Sequence, residues 1–166
     1  TPILPDGYKL VDGSIMGRGV NFTNRSFREE DLSNLNLEMS KLIGCDFTGA
    51  DLSGTDLSSS KFVFGGELNN AKLVNADLSF ANLTNANCYS ANFRYVNFHG
   101  ANLKKTNFYN ANLYDCNFRH SKMDETNFRQ ANLASSTFLN SKIKNSFFNS
   151  ANLAGTHGLK KLIGKK

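Results

Sequence analysis

Proline occurs only twice, tryptophan not at all, and cysteine three times. The cysteines, Cys45, Cys88 and Cys116, lie far apart and form no CxxC pair. That spacing gives neither a disulfide framework nor a structural zinc signature. No apolar run approaches the ~20 residues needed to cross a bilayer, and no signal peptide is visible. The sequence begins at Thr1 rather than Met, so a cytoplasmic protein and one exported after removal of a leader both fit, and the compartment stays open. So little proline beside so much asparagine does not suit a loop-rich globular domain. It suits an architecture in which many residues occupy equivalent bends.

A uniform charge is also lacking. The formal net charge is +5, but residues 1–19 are neutral, 20–68 are acidic, 69–154 are basic, and the tail adds Lys160, Lys161, Lys165 and Lys166. The body is therefore close to neutral, which argues against nucleic acid as the partner.

What is present is a period of five. From residue 20 a large apolar residue recurs as Phe22, Phe27, Leu32, Leu37, Leu42, Phe47, Leu52, Leu57 and Phe62. After one extra residue the series resumes as Leu68, Leu73, Leu78, Leu83, Cys88, Phe93, Phe98, Leu103, Phe108, Leu113, Phe118, Met123, Phe128, Leu133, Phe138, Ile143, Phe148 and Leu153. On an α-helix five residues advance about 500°, which makes no stripe. On a flat strand an odd period sends successive centres to opposite faces. The chain must therefore turn at every unit and return each centre to a common axis, as in a solenoid whose coils stack on one another.

Two residues before the centre the side chain is small (Ala81, Ala91, Ala101, Ala111), an even step that also points inward. Arg25 and Glu30 at this place predict less regular early coils. The residue directly before the centre, as in Asn92, Asn97, Asn102 and Asn107, points outward, as a plain polar surface residue or, alternatively, as a rung of a stacked amide ladder. The second residue after the centre is repeatedly Gly or Asn, which tolerate tight bends.

Units such as Ala101-Asn102-Leu103-Lys104-Lys105 and Ala111-Asn112-Leu113-Tyr114-Asp115 resemble the A(D/N)LXX motif of the pentapeptide-repeat proteins, over about residues 20–154. The resemblance implies an all-β fold, a right-handed quadrilateral β-helix with twenty residues per coil and about seven coils, ~32 Å long at the usual strand spacing. A twenty-residue superperiod would stack Phe98, Phe118 and Phe138 on one face, Phe108, Phe128 and Phe148 on another, and Leu83, Leu103, Met123 and Ile143 on a third.

Three segments follow: an N-terminal cap over 1–19, the repeats over 20–154, and a short C-terminal cap or tail over 155–166. Ile3, Leu4, Tyr8, Leu10, Val11, Ile15 and Met16 are available to cover the first coil. Leu159, Leu162 and Ile163 have helical spacing and fit either a cap on the last coil or a dimer contact, so the chain is a monomer or a C-terminal dimer. The one-residue slip falls near 63–67, where Gly65 and Gly66 ease a corner bulge that leaves Phe64 or Val63 exposed.

Catalytic chemistry is hard to find. The cysteines occupy inward positions and read as buried small hydrophobes. His99 and His120 should be neighbours on adjacent coils, but two histidines make a poor zinc site. Asp46, Asp51 and Asp56 diverge on successive faces rather than pairing for acid–base work. We expect no enzyme and no cofactor. The candidate surface residues are Phe64 at the slip; Lys104, Lys105, Lys122, Lys142 and Lys144 on one face, interrupted by Asp124 and Glu125; and Tyr89, Tyr109 and Tyr114, with Phe80 and Tyr95 also exposed. Three functions compete: a non-catalytic scaffold for a protein partner, a modulator of a type II topoisomerase through DNA mimicry as the resemblance implies for some family members, and polyanion or polysaccharide binding through the Lys and Tyr surface.

Overall fold

The computed structural model describes residues 4–11, 13–43, 45–60 and 73–159. Its logic is visible in one unit, residues 101–105. The Ala101 N–H donates to the carbonyl of Phe98 at 3.1 Å and closes the preceding turn. Asn102 donates to Ala81 of the coil before, at 2.9 Å, while Leu103 and Lys105 donate to Lys122 and Asp124 of the coil after, each at 2.8 Å. The fifth N–H, of Lys104, donates to Oδ1 of Asn102 at 3.3 Å. Every backbone donor in the unit is thus paired, which matters because an unpaired donor is costly. The same side-chain cap recurs at Asp51 to Ser53, Asp77 to Ser79, Asn97 to His99, Asn107 to Tyr109 and Asn152 to Ala154. The residue before each centre is therefore Asn or Asp for a backbone reason.

Parallel β-bridges join residues twenty apart, from Ser26 with Asp46 to Asn36 with Asp56, and again from Asp77 with Asn97 to Thr137 with His157. Each unit stacks on the fourth unit after it. Because the chain bends after every centre, regular strands are short. β1 (Lys9–Val11) and β2 (Ser14–Met16) form an antiparallel hairpin; β3 (Asn21–Thr23) pairs in parallel with β4 (Lys41–Ile43), and β5 (Lys122–Asp124) with β6 (Lys142–Lys144). The second residue after the centre has positive φ, as in Asn85 at 59° and Gly100 at 67°. No helix among the described residues is long and apolar enough to cross a membrane.

The register changes once. Asp51 pairs with Asp77 and Asp56 with Asn82, twenty-six residues apart rather than twenty. The interval between Ser60 and Leu73 thus holds six residues more than a coil needs, not the single residue that the slip in the repeat suggests. Six is one unit plus one residue. Leu73 thereby returns to the Phe47 column. Phe62, Val63, Phe64 and Leu68 lie outside the described residues.

Packing along the axis is column on column. Phe98, Phe118 and Phe138 stack with centroids 4.9 Å apart and planes within 12°. Phe108, Phe128 and Phe148 stack at 5.4 and 5.0 Å. The two columns meet edge to face at 5.8–6.5 Å, the arrangement that the ring quadrupole favours. Phe47, Leu52, Leu57, Leu73, Leu78, Leu83, Phe93, Leu103, Leu113 and Leu133 are fully buried, as are Ala81, Ala91 and Ala101 at the small position. Where Thr or Ser stands there, its hydroxyl donates to a centre's carbonyl, as Thr106 does to Leu83 and Thr126 to Leu103, both at 2.7 Å. Arg25 is half-buried, with its guanidinium over Phe22 and on Ser14 Oγ.

The ends depart from the uniform picture. Phe22, Ile143, Phe148 and Leu153 are only partly buried, because a terminal coil has a neighbouring coil on one side only. At the N-terminal end the hairpin places Val11 and Met16 in the core, while Leu10 and Ile15 are 48% and 52% exposed. Leu10 and Ile15 are cross-strand partners, and alternate residues of a strand face opposite ways, so they cannot join Val11 and Met16 on the first coil. At the other end Gly158 stands where the next centre would fall, and Leu159 is buried against the core. Leu162 and Ile163 lie outside the described residues.

Candidate functional site

Burial pushes the thiols of Cys45, Cys88 and Cys116 upward, Cys88 and Cys116 strongly, so none of them is a ready thiolate nucleophile. Among the described residues no group of three His, Cys, Asp or Glu is placed to hold a metal ion. His99 and His120 are neighbours, with ring centroids 5.1 Å apart, but they have no third ligand.

The outward residue before each centre builds ladders. Asn117 Nδ2 donates to Asn97 Oδ1 at 2.9 Å, and Asn97 Nδ2 to Asp77 at 3.1 Å. Asn127 donates to Asn107, and Asn107 to Asn87, at 3.0 and 3.1 Å. Each Oδ1 in these chains also caps its own turn. Below Asp77 the column continues as Asp51 and Asp31, with Asp46 and Asp56 in the adjoining columns. Carboxylates only accept, so they cannot extend an amide ladder toward the N-terminus. Asp31 is tied to Lys9 at 2.9 Å. The hydrogen bonds from Lys9 and Ser33 hold its carboxyl well below the usual range. Asp46 is also lowered: burial would raise it, but hydrogen bonds from Thr48 and the pairing with Arg28 outweigh that. Asp51 and Asp77 have no ion pair among the described residues.

The lysine face is not a continuous basic stripe. Lys122 and Lys142 are stacked partners, but Asp124 pairs in register with Lys144 and lies next to the Lys104 level. Lys105 pairs with Glu125 at 3.7 Å. Asp124 Oδ1 is buried without a hydrogen-bond partner. Opposite charges therefore alternate along this column.

The aromatic candidates form two groups. Tyr89 and Tyr109 stack in parallel at 5.5 Å. In the neighbouring column Tyr95 and Tyr114 meet edge to face at 5.8 Å. Arg94 lies over both rings and donates to the Tyr95 hydroxyl at 2.9 Å. Sequence reading missed Arg94, and likewise Arg129, whose guanidinium sits 4.2 Å from the Phe147 centroid. For Arg94 the available signal was its twenty-residue offset from Tyr114, once the columns are drawn; Arg129 and Phe147 are eighteen residues apart and gave no such signal. Phe80, 67% exposed, lies edge to face with His99.

Comparison with known proteins gives the family. A pentapeptide-repeat-region model matches residues 91–157, and a model of eight pentapeptide repeats matches 18–58 and 68–110. No curated protein matches the chain. Among solved structures, QnrB1, a plasmid-mediated fluoroquinolone resistance protein, is 20% identical over 83% of this chain and 74% of its own, with a TM-score of 0.56. A pentapeptide-repeat protein of the Arabidopsis thaliana thylakoid lumen is 23% identical over 73% of this chain and 66% of its own, with a TM-score of 0.39. HetL of the cyanobacterium Nostoc, involved in heterocyst differentiation regulation, is 18% identical over 83% and 86%, with a TM-score of 0.25. The stacked five-residue units and the family models agree: this chain belongs to the pentapeptide-repeat family and is a β-solenoid of that kind.

Proposed function

We propose that the columns are the walls of a right-handed quadrilateral β-helix of about seven coils, and that this rod works without catalysis by presenting a wall to a protein partner. The partner class with most support is a type II topoisomerase, engaged through DNA mimicry. The observation that carries this reading is the carboxylate stack Asp31, Asp51 and Asp77 on successive coils, flanked by Asp46 and Asp56. Lys9 and Arg28 offset Asp31 and Asp46, so the negative field of this wall comes mainly from Asp51 and Asp77 on adjoining coils, and such a field on a rigid support steers and holds a surface built for a polyanion. The fold likeness to QnrB1 adds weight, since fluoroquinolones act on type II topoisomerases. The basic second part of the repeat body departs from a uniformly DNA-like rod, so this reading assigns topoisomerase contact to the first three coils. Polyanion binding by the lysine face has less support, because Asp124 and Glu125 interleave the cations.

A gyrase supercoiling assay with added protein tests the proposal. Concentration-dependent inhibition, or protection from a fluoroquinolone, is expected. Asp51→Asn, which keeps the turn cap, should weaken the effect. Absence of any effect at micromolar protein would leave a scaffold with another partner.

A further inference from the structure

We propose that the column carrying Phe80 is a self-complementary surface, on which two copies of the chain pair with their rod axes antiparallel. Phe80 stands at the turn position with φ at 58°, a place that Gly or Asn often fills but that Met39, Tyr95 and His120 also occupy with positive φ. It gains little from its own chain, being 67% exposed. The flanking turn residues in its column are Gly54 and Gly100, and the ring lies over Gly100, where an added Cβ would come within 2.7 Å of it. A glycine on either side leaves an apolar ring lying flat and open to a visitor.

The charges around Phe80 run in opposite senses. One coil before it lies Asp51, and in the coil before that Asp31, with Asp77 beside Phe80 itself. In the second coil after it lies the cation of Arg119. Arg119 is exposed and, like Asp51, makes no ion pair among the described residues. A two-fold axis crossing the column midway between Phe80 and Gly100 exchanges the two sides. Phe80 then faces the Gly100 level of the second copy, next to that copy's own Phe80 ring, and Asp51 comes to the level of Arg119 of the second copy, twice over by symmetry. Such an isologous contact closes at two subunits. Parallel rods would instead set aspartate against aspartate and are disfavoured. The contact shares Asp51 with the wall proposed for the topoisomerase, so the two partners would compete for it, and it involves neither end of the rod.

Sedimentation velocity on the full chain, across protein concentration and salt, tests it. A dimer is expected at low salt that weakens as salt rises. Phe80→Asn should raise the dimer Kd at least tenfold without lowering the melting temperature, since Asn occupies the same place at Asn75, Asn85 and Asn110. Arg119→Asp should weaken the dimer similarly, and adding Asp51→Lys to it should restore association, because the swapped charges again face each other. A chain that stays monomeric under all conditions overturns the proposal. So does a dimer indifferent to Phe80→Asn and to the charge swap, which would locate the contact elsewhere, such as the C-terminal end.

Discussion

The amide ladders make an asymmetric prediction about two substitutions that look equally mild. Asn107 donates from Nδ2 to Asn87 at 3.1 Å, while its Oδ1 accepts from Asn127 at 3.0 Å and from the Tyr109 N–H at 3.2 Å. Asn107→Asp keeps both accepted bonds but replaces the donor with an oxygen that faces the Asn87 oxygen. One lost hydrogen bond is worth ~0.5–1.5 kcal/mol net. The facing acceptors add repulsion, moderated because the site is half-exposed. The expected cost is about 1–2 kcal/mol, or a fall in melting temperature of ~2–4 °C per kcal/mol in a chain of this size. Asp77 sits at the base of its ladder and only accepts, from Asn97 and from Ser79. Asp77→Asn should therefore cost nothing measurable, and should even stabilise slightly by relieving the stacked charge of Asp51. The Asn107→Asp penalty should shrink as pH falls below about 4, since a protonated carboxyl can again donate to Asn87. Its folded-state pKa is then raised, and stability returns on the acid side. Thermal melts of both variants across pH 3–7 are the assay. Equal effects, or a larger loss for Asp77→Asn, would show that the ladder polarity has no energetic meaning.

Ala101→Leu forces a large side chain into a fully buried site and should cost towards the upper end of ~1–3 kcal/mol, whereas Asn102→Ser should cost under about 0.5 kcal/mol; urea unfolding that ranks them the other way would invert the inward and outward assignment. The Asp31 carboxyl should titrate well below the ~3.9 of a free aspartate and move up in Lys9→Met, as followed by carboxyl-carbon NMR. The contribution of that ion pair to hairpin docking is complete above about pH 4 and is lost only as pH falls through the depressed pKa, and a wild-type midpoint near 3.9 would refute it. Leu159→Ala should cost ~2–4 kcal/mol as a buried truncation. Deleting 156–166 should cost at least as much and increase self-association at high concentration, whereas a tail that forms a dimer contact would give a wild-type dimer and a monomeric deletion in sedimentation.

Much of the fold was legible because the repeat repeats its physics. The spacing of Phe98, Phe118 and Phe138 alone predicts their stack, and the Ala at 81, 91 and 101 announces an inward position with room for a methyl group. Tyr89 over Tyr109 and His99 beside His120 follow from the same arithmetic. The hairpin was less legible: seven apolar residues in 1–19 do not say which face the first coil, and only the pairing of Leu10 with Ile15 turns both outward. The break was misread for a different reason. A period of five registers an insertion only as its remainder, so one residue and six leave the same trace in the sequence, and the pairing of Asp51 with Asp77 separates them. Asparagine before the centre was read as surface, with a ladder as one option, because the unpaired N–H that it caps is a property of the bent backbone and not of the residue pattern. The walls were the least legible. Arg94 finds Tyr114 along a column and Arg129 finds Phe147 across the face of the next coil, and the lysine face dissolves once Asp124 is seen in register with Lys144.

The most direct test of the proposed mechanism is competition. Labelled protein bound to a type II topoisomerase, followed by fluorescence anisotropy, is titrated with linear duplex DNA. A DNA-like wall built on Asp31, Asp51 and Asp77 predicts displacement by DNA, binding that weakens with salt, and loss of binding when Asp51 and Asp77 are both changed to Asn. Failure to bind the enzyme, or binding that DNA leaves untouched, would contradict it.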